Sequence, residues 1–375
     1  MENAVYLDHN ATTPVRPEAA EAAAAALALT GNPSSVHRFG RVARRLVEDA
    51  RERVALLVGS APADVVFTGG GSEANSLAVR GTNRRRVLVS AVEHVSVLSA
   101  ADSVELIPVD RSGLIDLDAL EEMLGVDGPP ALVSVMMVNN ETGVIQPVGT
   151  VADIARKHGA LVHCDAVQAA GKVSIEMPSL GAHMLTLSAH KLGGPSGCGV
   201  LITTPEGAPQ PQIRGGGQER GRRAGSENLA GIAGFGAAAE IAATLPDAER
   251  IGGLRDDMER MVCESATGAT VFGSDAPRVG NTSCVMMPGV ASETQVIALD
   301  LAGIAVSAGS ACSSGKVTRS HVLKAMGVDD EAASGAIRVS LGWTTTGRDV
   351  MRFVDAWKSL HARSGVSHMA EAPAA

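Results

Sequence analysis

Two charged side chains follow or end short apolar runs, where charge seldom occurs without a partner or a use. Asp165 ends the run "ALVHCD", and Lys191 follows the run "MLTLS" in the stretch "LSAHKLGGPSGCGV". Both runs have the length and composition of buried strands, so both charges are expected at strand ends. A lysine amine can form a Schiff base, and an aspartate can pair with a protonated ring nitrogen.

Three further polar motifs follow apolar runs. "GGGSEAN" comes after "DVVFT" and predicts a turn that opens a helix, where backbone N–H groups and the Ser72 hydroxyl can bind an anion. His94 follows "RVLVS", and Asn140 lies in "NNETG" after "ALVSVMMV". Each motif also has an ordinary explanation: a helix start, a satisfied polar histidine or a turn, with helix capping for Asp165. Together with Lys191 they supply the amine, carboxylate and phosphate cradle that a pyridoxal phosphate enzyme needs.

The composition argues against several classes of protein. Of 375 residues, 45% are hydrophobic and 2% aromatic, which predicts a globular protein with a large aliphatic core. The formal net charge of −9 argues against nucleic acid or an anionic membrane as a partner. No apolar run has the length of a membrane span, and "VYLDHNATTP" is too polar for an export signal. Five scattered cysteines without metal-ligand spacing predict reduced thiols in the cytoplasm and no metal site.

Short apolar runs alternate with helical patterns over the first part of the chain. Seven runs have the length of strands: 64–68, 86–90, 104–109, 131–138, 160–165, 184–188 and 199–203. Helices are predicted for "RPEAAEAAAAALAL", with Pro17 near its first position, and for "GRVARRLVEDARERVALLVG". This alternation predicts an α/β fold whose large domain has a mostly parallel, seven-stranded sheet between helices.

A second, shorter alternation predicts a smaller C-terminal α/β domain. A helical stretch from about Ser226 to Ser265, interrupted at Pro246, precedes the runs "TSCVMM", "IAVSA" and "AIRVSL". We expect the large, cofactor-binding domain over 1–250 and the small domain over 251–375. The first fifteen or so residues are expected to pack on the small domain.

Several longer motifs occur in the order typical of a known family. They are "YLDHNATTPV", "GNPSSVHRFG", "VNNETGVIQPV", "HCDAVQAAGKV", "SAHKLGGPSGCGVL", "RGGGQERGRRAGSEN", "SAGSACSSG" and "AIRVSLG". Over nearly its whole length the chain resembles the cysteine desulfurases of the NifS/IscS type, a branch of the class V aminotransferases. The resemblance implies pyridoxal phosphate fold type I, pyridoxal 5'-phosphate as cofactor and L-cysteine as substrate.

The resemblance also implies a role for each polar residue of the site. Lys191 is expected to bind the cofactor covalently and to move protons at the substrate carbons. Asp165 is expected to pair with the ring nitrogen, and His94 to stack on the ring and act as an acid or base. The remaining contacts are expected from Gly71, Ser72, Ser188 and His190 to the phosphate, from Asn140 and Gln168 to the phenolic oxygen, and from Arg338 and Asn140 to the substrate.

Two further site residues lie in segments between regular elements. Ser226, in "RRAGSEN", is expected from the resemblance to bind the phosphate of the neighbouring subunit, which implies a homodimer. Among the five cysteines only Cys312 lies in a glycine- and serine-rich segment, which predicts a loop. The resemblance implies that the Cys312 thiolate takes the substrate sulfur as a persulfide and passes it to an acceptor protein for iron–sulfur cluster assembly. Cys312 is then expected to contact a nascent cluster transiently.

Some positions depart from the family pattern. Ser226 stands where many relatives have threonine, and Gly71–Ser72 replaces an Ala-Thr or Gly-Thr pair; both changes keep the hydroxyl. Residues 317–319 are Val, Thr and Arg where the family often has Leu, Glu and Pro. The last difference leaves open which acceptor takes the sulfur, and whether the setting is nitrogenase maturation or housekeeping assembly.

Alternative functions stay open from the sequence. A selenocysteine lyase or a class V aminotransferase is one alternative, although transamination needs no thiol such as that of Cys312. A non-enzymatic sulfur-carrier or scaffold subunit is another. The intact set of Lys191, Asp165 and His94 argues against that second alternative.

Overall fold

The computed structural model describes residues 4–308 and 319–370, with side chains up to residue 364. The described strands are β1 (Val5–Tyr6), β2 (Val65–Thr68), β3 (Arg86–Ser90), β4 (Glu105–Ile107), β5 (Ala131–Ser134), β6 (Leu161–Asp165), β7 (Met184–Ser188), β8 (Gly199–Thr203), β9 (Thr270–Phe272), β10 (Thr282–Met286), β11 (Ile304–Ala305), β12 (Ser307–Ala308) and β13 (Ala336–Ser340). The described α-helices are α1 (Pro17–Leu27), α2 (Arg38–Leu57), α3 (Gly71–Gly81), α4 (Val95–Leu98), α5 (Leu117–Gly125), α6 (Val148–Lys157), α7 (Met177–Leu180), α8 (Leu229–Ala242), α9 (Ala248–Ser265), α10 (Ser292–Leu301), α11 (His321–Ala325), α12 (Asp330–Ser334) and α13 (Gly347–Ala370).

Seven strands form the large sheet, in the order β2-β8-β7-β6-β5-β3-β4. β4, β3, β5, β6 and β7 pair in parallel, while β8 runs antiparallel to both β7 and β2. Every residue of β5, β6, β7 and β8 is buried, as expected for strands covered by helices on both faces. The prediction of a mostly parallel, seven-stranded sheet is confirmed.

Among the predicted strands of the large sheet, β5 differs most from its apolar run. β5 ends at Ser134, although the run continues to residue 138. Beyond it the chain bends into a turn held by Asn139, whose Oδ1 accepts hydrogen bonds from the N–H groups of Glu141 and Thr142, both at 2.9 Å. The first asparagine of "NNETG" therefore builds the turn, and the second, Asn140, lines the cavity described below.

The helices begin and end where the local sequence allows. α1 begins at Pro17, whose missing N–H costs nothing in the first turn of a helix. The predicted interruption at Pro246 separates α8 from α9. No described helix is long and apolar enough to cross a lipid bilayer.

The smaller sheet is antiparallel, in the order β12-β13-β10-β9, and β1 pairs with β11. A second apolar core lies beside this sheet and includes Leu7 from the N-terminal segment, Ile251 and Met258 from α9, and Trp357 from α13. The first residues of the chain thus pack with its last third. The domain division near residue 250 stays a prediction, which the place of α9 in the second core supports.

Candidate active site

A cavity of about 290 Å³ lies where β3, β5, β6 and β7 end. The residues predicted from the sequence that line it are Gly71, Ser72, His94, Asn140, Asp165, Gln168, Ser188, His190, Lys191 and Arg338. Parallel strands end at one edge of a sheet, so side chains scattered along the chain converge there. The structure thus brings together all of the predicted residues that it describes, except Ser226.

Asp165 lies at the base of the cavity, at the end of β6, and is held there by two hydrogen bonds. Its Oδ2 accepts from Asn75 Nδ2 at 2.7 Å, and its Oδ1 accepts from the backbone N–H of Val167 at 2.9 Å. The second N–H of the Asn75 amide donates to Ser96 Oγ at 2.9 Å. This arrangement fixes the plane of the carboxylate, while the neutral donors leave its negative charge in place.

His94 is held by the same network. Its Nδ1 lies 2.8 Å from Ser96 Oγ and accepts a hydrogen bond from the backbone N–H of Ser96 at 3.2 Å. Burial lowers the pKa of His94, and the nearby Lys191 ammonium lowers it further, against the opposing effect of Asp165. The ring is therefore neutral near pH 7, with Nδ1 as acceptor and its proton on Nε2.

The N-terminus of α3 forms an anion cradle. No side chain caps this helix, so its first N–H groups stay available to a ligand. A Cβ at Gly71 would lie 3.2 Å from Val167 Cγ2 and 3.5 Å from Ser188 Cβ, and a Cβ at Gly199 would lie 2.5 Å from the carbonyl carbon of Gly70. Side chains there would fill the cradle or push β8 away from it.

Lys191 ends the single helical turn (Ala189–Lys191) that follows β7. Its ammonium group donates to the carbonyl oxygen of Asn10 and, at 2.8 Å, to that of Ala11. The same turn carries His190, whose pKa burial lowers to about 4, with a further contribution from Lys191. The antiparallel return through β8 keeps this short turn at the edge of the cavity.

Arg338, in β13, brings a cation from the smaller sheet into the cavity. Its Nη2 donates to Asp8 Oδ1 at 2.8 Å and its Nη1 to the carbonyl oxygen of Asn140 at 3.2 Å. Its Nε is buried and has no hydrogen-bond partner among the described residues. The guanidinium lines the cavity as a fixed cation, the kind of group that binds a ligand carboxylate.

The structure describes one of the other two predicted residues, Ser226, and places it apart from the cavity. Ser226 is exposed and lies in a separate pocket with Cys198 and Arg223. Cys312 lies outside the described residues. The chain enters the segment 309–318 from β12, where Ser307 pairs with Arg338, and it leaves near Ser320.

The described cysteines are poor nucleophiles. Cys164, Cys198 and Cys284 are buried, and burial raises the pKa of each thiol, for Cys198 to about 12. Cys263 is exposed on α9, yet partial burial raises its pKa too. Since the thiolate is the reactive form, none of these four is activated by its surroundings.

Among the lining residues that are not predicted from the sequence, two hold predicted ones in place. Asn75 belongs to "GGGSEAN", and it lies one helical turn after Gly71 on the same face of α3, a spacing that could have identified it. Asn10, in "YLDHNATTPV", is the other, and its carbonyl oxygen accepts hydrogen bonds from Lys191 and Gln168. Asn10 comes from the segment after β1, so no pattern in the sequence places it here.

Glu141 gives the site a pH-dependent stability. Ser320 Oγ donates to its Oε2 at 2.6 Å, and burial raises the pKa of Glu141 from 4.5 to about 7. A carboxyl whose pKa is higher in the folded chain than in the unfolded chain makes its full contribution to the stability of the fold below pH 4.5. This contribution decreases as the pH rises towards 7. We expect the free energy of unfolding of Glu141→Gln, minus that of the unaltered protein, to increase by up to about 3 kcal/mol over this range.

Urea unfolding at pH 4.5 and pH 7.5 measures that difference, with the exposed Glu52→Gln as the matched control. The difference in free energy of unfolding between Glu52→Gln and the unaltered protein is expected to be the same at both pH values. A pH-independent difference for Glu141→Gln would contradict the raised pKa.

Comparison with known proteins agrees with this geometry. The class-V aminotransferase family model matches residues 5–353. The chain belongs to the class V aminotransferase family. It is 44% identical over 367 residues to a cysteine desulfurase of Cereibacter sphaeroides, and the match covers 94% of each chain. It is 39% identical over 371 residues to cysteine desulfurase IscS of Dictyoglomus turgidum, and that match covers 95% of this chain and 94% of the relative. It superposes on the crystal structure of a NifS-like protein of Rickettsia africae with a TM-score of 0.90, at 34% identity over 96% of this chain and 100% of that one.

Members of this family depend on pyridoxal phosphate, and the chain is an enzyme of the cysteine desulfurase type. The cavity fits the cofactor on its own geometry. The uncapped α3 N-terminus suits the phosphate, Asp165 suits the ring nitrogen, and Lys191 supplies the amine. The predictions of family, fold and cofactor are confirmed, while the role of each side chain stays a prediction.

Proposed function

We propose that this enzyme removes the sulfur of L-cysteine, releases L-alanine and carries the sulfur as a persulfide on Cys312. The observation that carries the proposal is the meeting of Lys191, Asp165 and Arg338 in one cavity. An α-amino acid substrate needs an amine near its α-carbon and a cation for its carboxylate, and these residues supply both. The names of the curated relatives agree with this substrate.

Arg338 holds the substrate carboxylate. Asp8 and the carbonyl oxygen of Asn140 hold the Nη atoms and set the plane of the guanidinium, which lines the cavity as the cation for the substrate carboxylate. Asp8 also accepts from Ser307 Oγ at 2.8 Å, which fixes its own position. The substrate is thereby oriented before any bond changes.

Three residues remove, hold or donate the protons of the reaction. Pyridoxal phosphate, when bound, supplies an electron sink for negative charge at the substrate α-carbon. Lys191 removes the proton from that carbon and returns protons to the carbon skeleton. Asp165 keeps a proton on the ring nitrogen by its negative charge, and the neutral His94 can donate its Nε2 proton.

Cys312 receives the sulfur. Its thiolate sulfur forms a bond with the substrate sulfur while the bond from that sulfur to the β-carbon breaks. The electron pair of the broken bond stays on the carbon skeleton, which takes up a proton and becomes alanine. One cysteine and one thiol thus give one alanine and one persulfide, and the reaction needs no external oxidant.

The enzyme is a homodimer in this proposal, with Ser226 of each subunit at the phosphate of the other. Ser226 is exposed and outside the cavity of its own chain. Its segment is anchored by Arg223, whose Nε donates to Glu73 Oε1 at 2.7 Å. Val36 and Phe39 are also uncovered, with 86% and 63% of their surface exposed, as expected for apolar residues that a second subunit covers.

The persulfide is passed to an acceptor protein in the cytoplasm for iron–sulfur cluster assembly. Arg319, which is exposed and paired with Asp330, directly follows the segment that contains Cys312. The departure at residues 317–319 from the usual family sequence changes the residue types that follow Cys312 along the chain.

The proposed function is tested with the purified holoenzyme and L-cysteine. Equal amounts of alanine and protein-bound sulfur in the first turnover, followed by continued alanine release when a scaffold protein or a thiol reductant accepts sulfur, are expected. Pyruvate or keto-acid formation without bound sulfur would indicate an aminotransferase instead.

Replacement of Asp165 by asparagine tests the role of its charge. Asn cannot keep a proton on the ring nitrogen, so we expect the cofactor to bind while alanine formation falls by about 10²–10³-fold. Cofactor content by visible absorption and alanine formation from L-cysteine are the measurements. Asp153→Asn, an exposed change on α6, serves as the control, and an unchanged rate in Asp165→Asn would show that another group faces the ring.

A further inference from the structure

A second lysine lies behind the cavity, and the mechanism above does not use it. Lys172 Nζ donates to Gln168 Oε1 at 2.6 Å and to Asn10 Oδ1 at 3.0 Å. Both acceptors are neutral amides, and no ion pair of Lys172 occurs among the described residues. A half-buried ammonium held only by amides is unfavourable unless the ordering of those amides has a use.

An ammonium group can only donate, so it determines which way a neighbouring amide points. Lys172 contacts Oε1 of Gln168, and this leaves Nε2 on the other side of the amide. Nε2 donates one hydrogen to the carbonyl oxygen of Asn10 at 2.9 Å, and its second hydrogen has no acceptor within the described part of the chain. Gln168 lines the cavity and therefore presents a donor, not an acceptor, to a ligand there.

Asn10 is held by the same cluster. Its Oδ1 also accepts from Asn281 Nδ2 at 3.0 Å, and its carbonyl oxygen accepts from Lys191. Lys172 and Lys191 thus contact the two oxygens of one residue. Lys172 itself does not line the cavity, so removing its ammonium would loosen both amides without removing a residue of the cavity wall.

We propose that Lys172 is a positioning residue, which holds the Gln168 amide with its N–H towards the phenolic oxygen of the cofactor. The inference rests on the proposed function in one respect, the assignment of Gln168 to that oxygen. A donor at the phenolic oxygen stabilises the negative charge there. Without Lys172 the amide is free to turn its own oxygen towards that charge, which would repel it.

The titratable groups around Lys172 come from three other segments. Lys191 follows β7, Arg338 belongs to β13, and His9 follows β1. Burial lowers the pKa of Lys172 well below its ordinary value, and the Lys191 and Arg338 cations lower it further. Burial also lowers the pKa of His9 to about 4, so this ring adds no charge near neutral pH.

The test is a pH titration of the visible absorption of the bound cofactor, which reports protonation of its linkage to Lys191. A donor at the phenolic oxygen lowers the midpoint of this titration. We expect Lys172→Met, which keeps the length of the side chain and loses its donors, to raise the midpoint by about one pH unit. Lys172→Arg keeps the donors, so its midpoint should stay close to that of the unaltered protein. The exposed Lys157→Met should also leave the midpoint unchanged.

A double-mutant cycle separates positioning from the charge of Lys172 alone. If Lys172 acts through Gln168, Lys172→Met causes no further shift in a Gln168→Ala background. An equal rise in both backgrounds means that only the lost charge matters, and it overturns the proposal. So does an unchanged midpoint in Lys172→Met. If Lys172→Met fails to fold, Lys172→Ala takes its place in the cycle. The titration needs no turnover, so it tests the role of Lys172 even if the enzyme does not act on L-cysteine.

Discussion

Replacing Lys191 by alanine is expected to reduce alanine formation from L-cysteine by at least ~10⁴-fold, to the background rate. The variant loses both the amine that binds the cofactor covalently and the base that moves protons at the α-carbon. Each loss acts on a separate step, so the combined effect exceeds that of a contact residue. The measurement is alanine release under saturating L-cysteine, together with the visible spectrum of the protein.

Lys157→Ala is the matched control for this experiment. Lys157 ends α6 and pairs on the surface with Glu121, so its removal should leave both the rate and the spectrum unchanged. Substantial alanine formation by Lys191→Ala would contradict the assignment of this lysine. In that outcome Lys172, the other lysine near Asn10, becomes the residue to replace next.

Replacing Cys312 by serine is expected to separate cofactor chemistry from sulfur transfer. Lys191, Asp165 and His94 lie in the cavity and none depends on this thiol, so the cofactor spectrum and its change on adding L-cysteine should persist. Persulfide and alanine should both fall by about 10³-fold or more, because a hydroxyl is a far weaker nucleophile than a thiolate. Activity on selenocysteine can survive, since the bond from carbon to selenium is weaker.

The measurement is the position of labelled sulfur on the protein after incubation with labelled L-cysteine, read by peptide mapping. Cys263→Ser is the control, because Cys263 is exposed among the described cysteines yet lies on α9, a helix of the second core. Labelled sulfur on Cys263 or another described cysteine would contradict the role proposed for Cys312. Full activity of Cys312→Ser would contradict it too.

Much of the fold follows from local sequence. The near-continuous apolar runs of β5, β6, β7 and β8 predict strands buried on both faces, and the helical patterns between β5, β6 and β7 predict parallel connections. The length of β5 could not be predicted this way. Its apolar run continues past Ser134, and the N–H groups of Val135 and Met137 still donate to carbonyl oxygens of β6, before the side chain of Asn139 holds the turn that follows.

The residue types of the site also follow from sequence, since a polar residue after an apolar run must lie at a strand end. The apolar runs alone predict this position for His94, Asp165 and Lys191, and the cavity contains all three. The family motifs added residues, such as Gln168 and Arg338, that no strand-end argument singles out.

Only the tertiary structure decided how these residues are held. Asn75 reaches Asp165 from α3, and Asn10 meets Lys191 and Lys172 from the N-terminal segment, across separations of 90 to 181 positions in the chain. Hydrogen bonds between such distant residues depend on how the two sheets and their helices pack, and local patterns carry no record of that packing. The sequence by itself determined which chemical groups are present, and the packing decided which group each one orients.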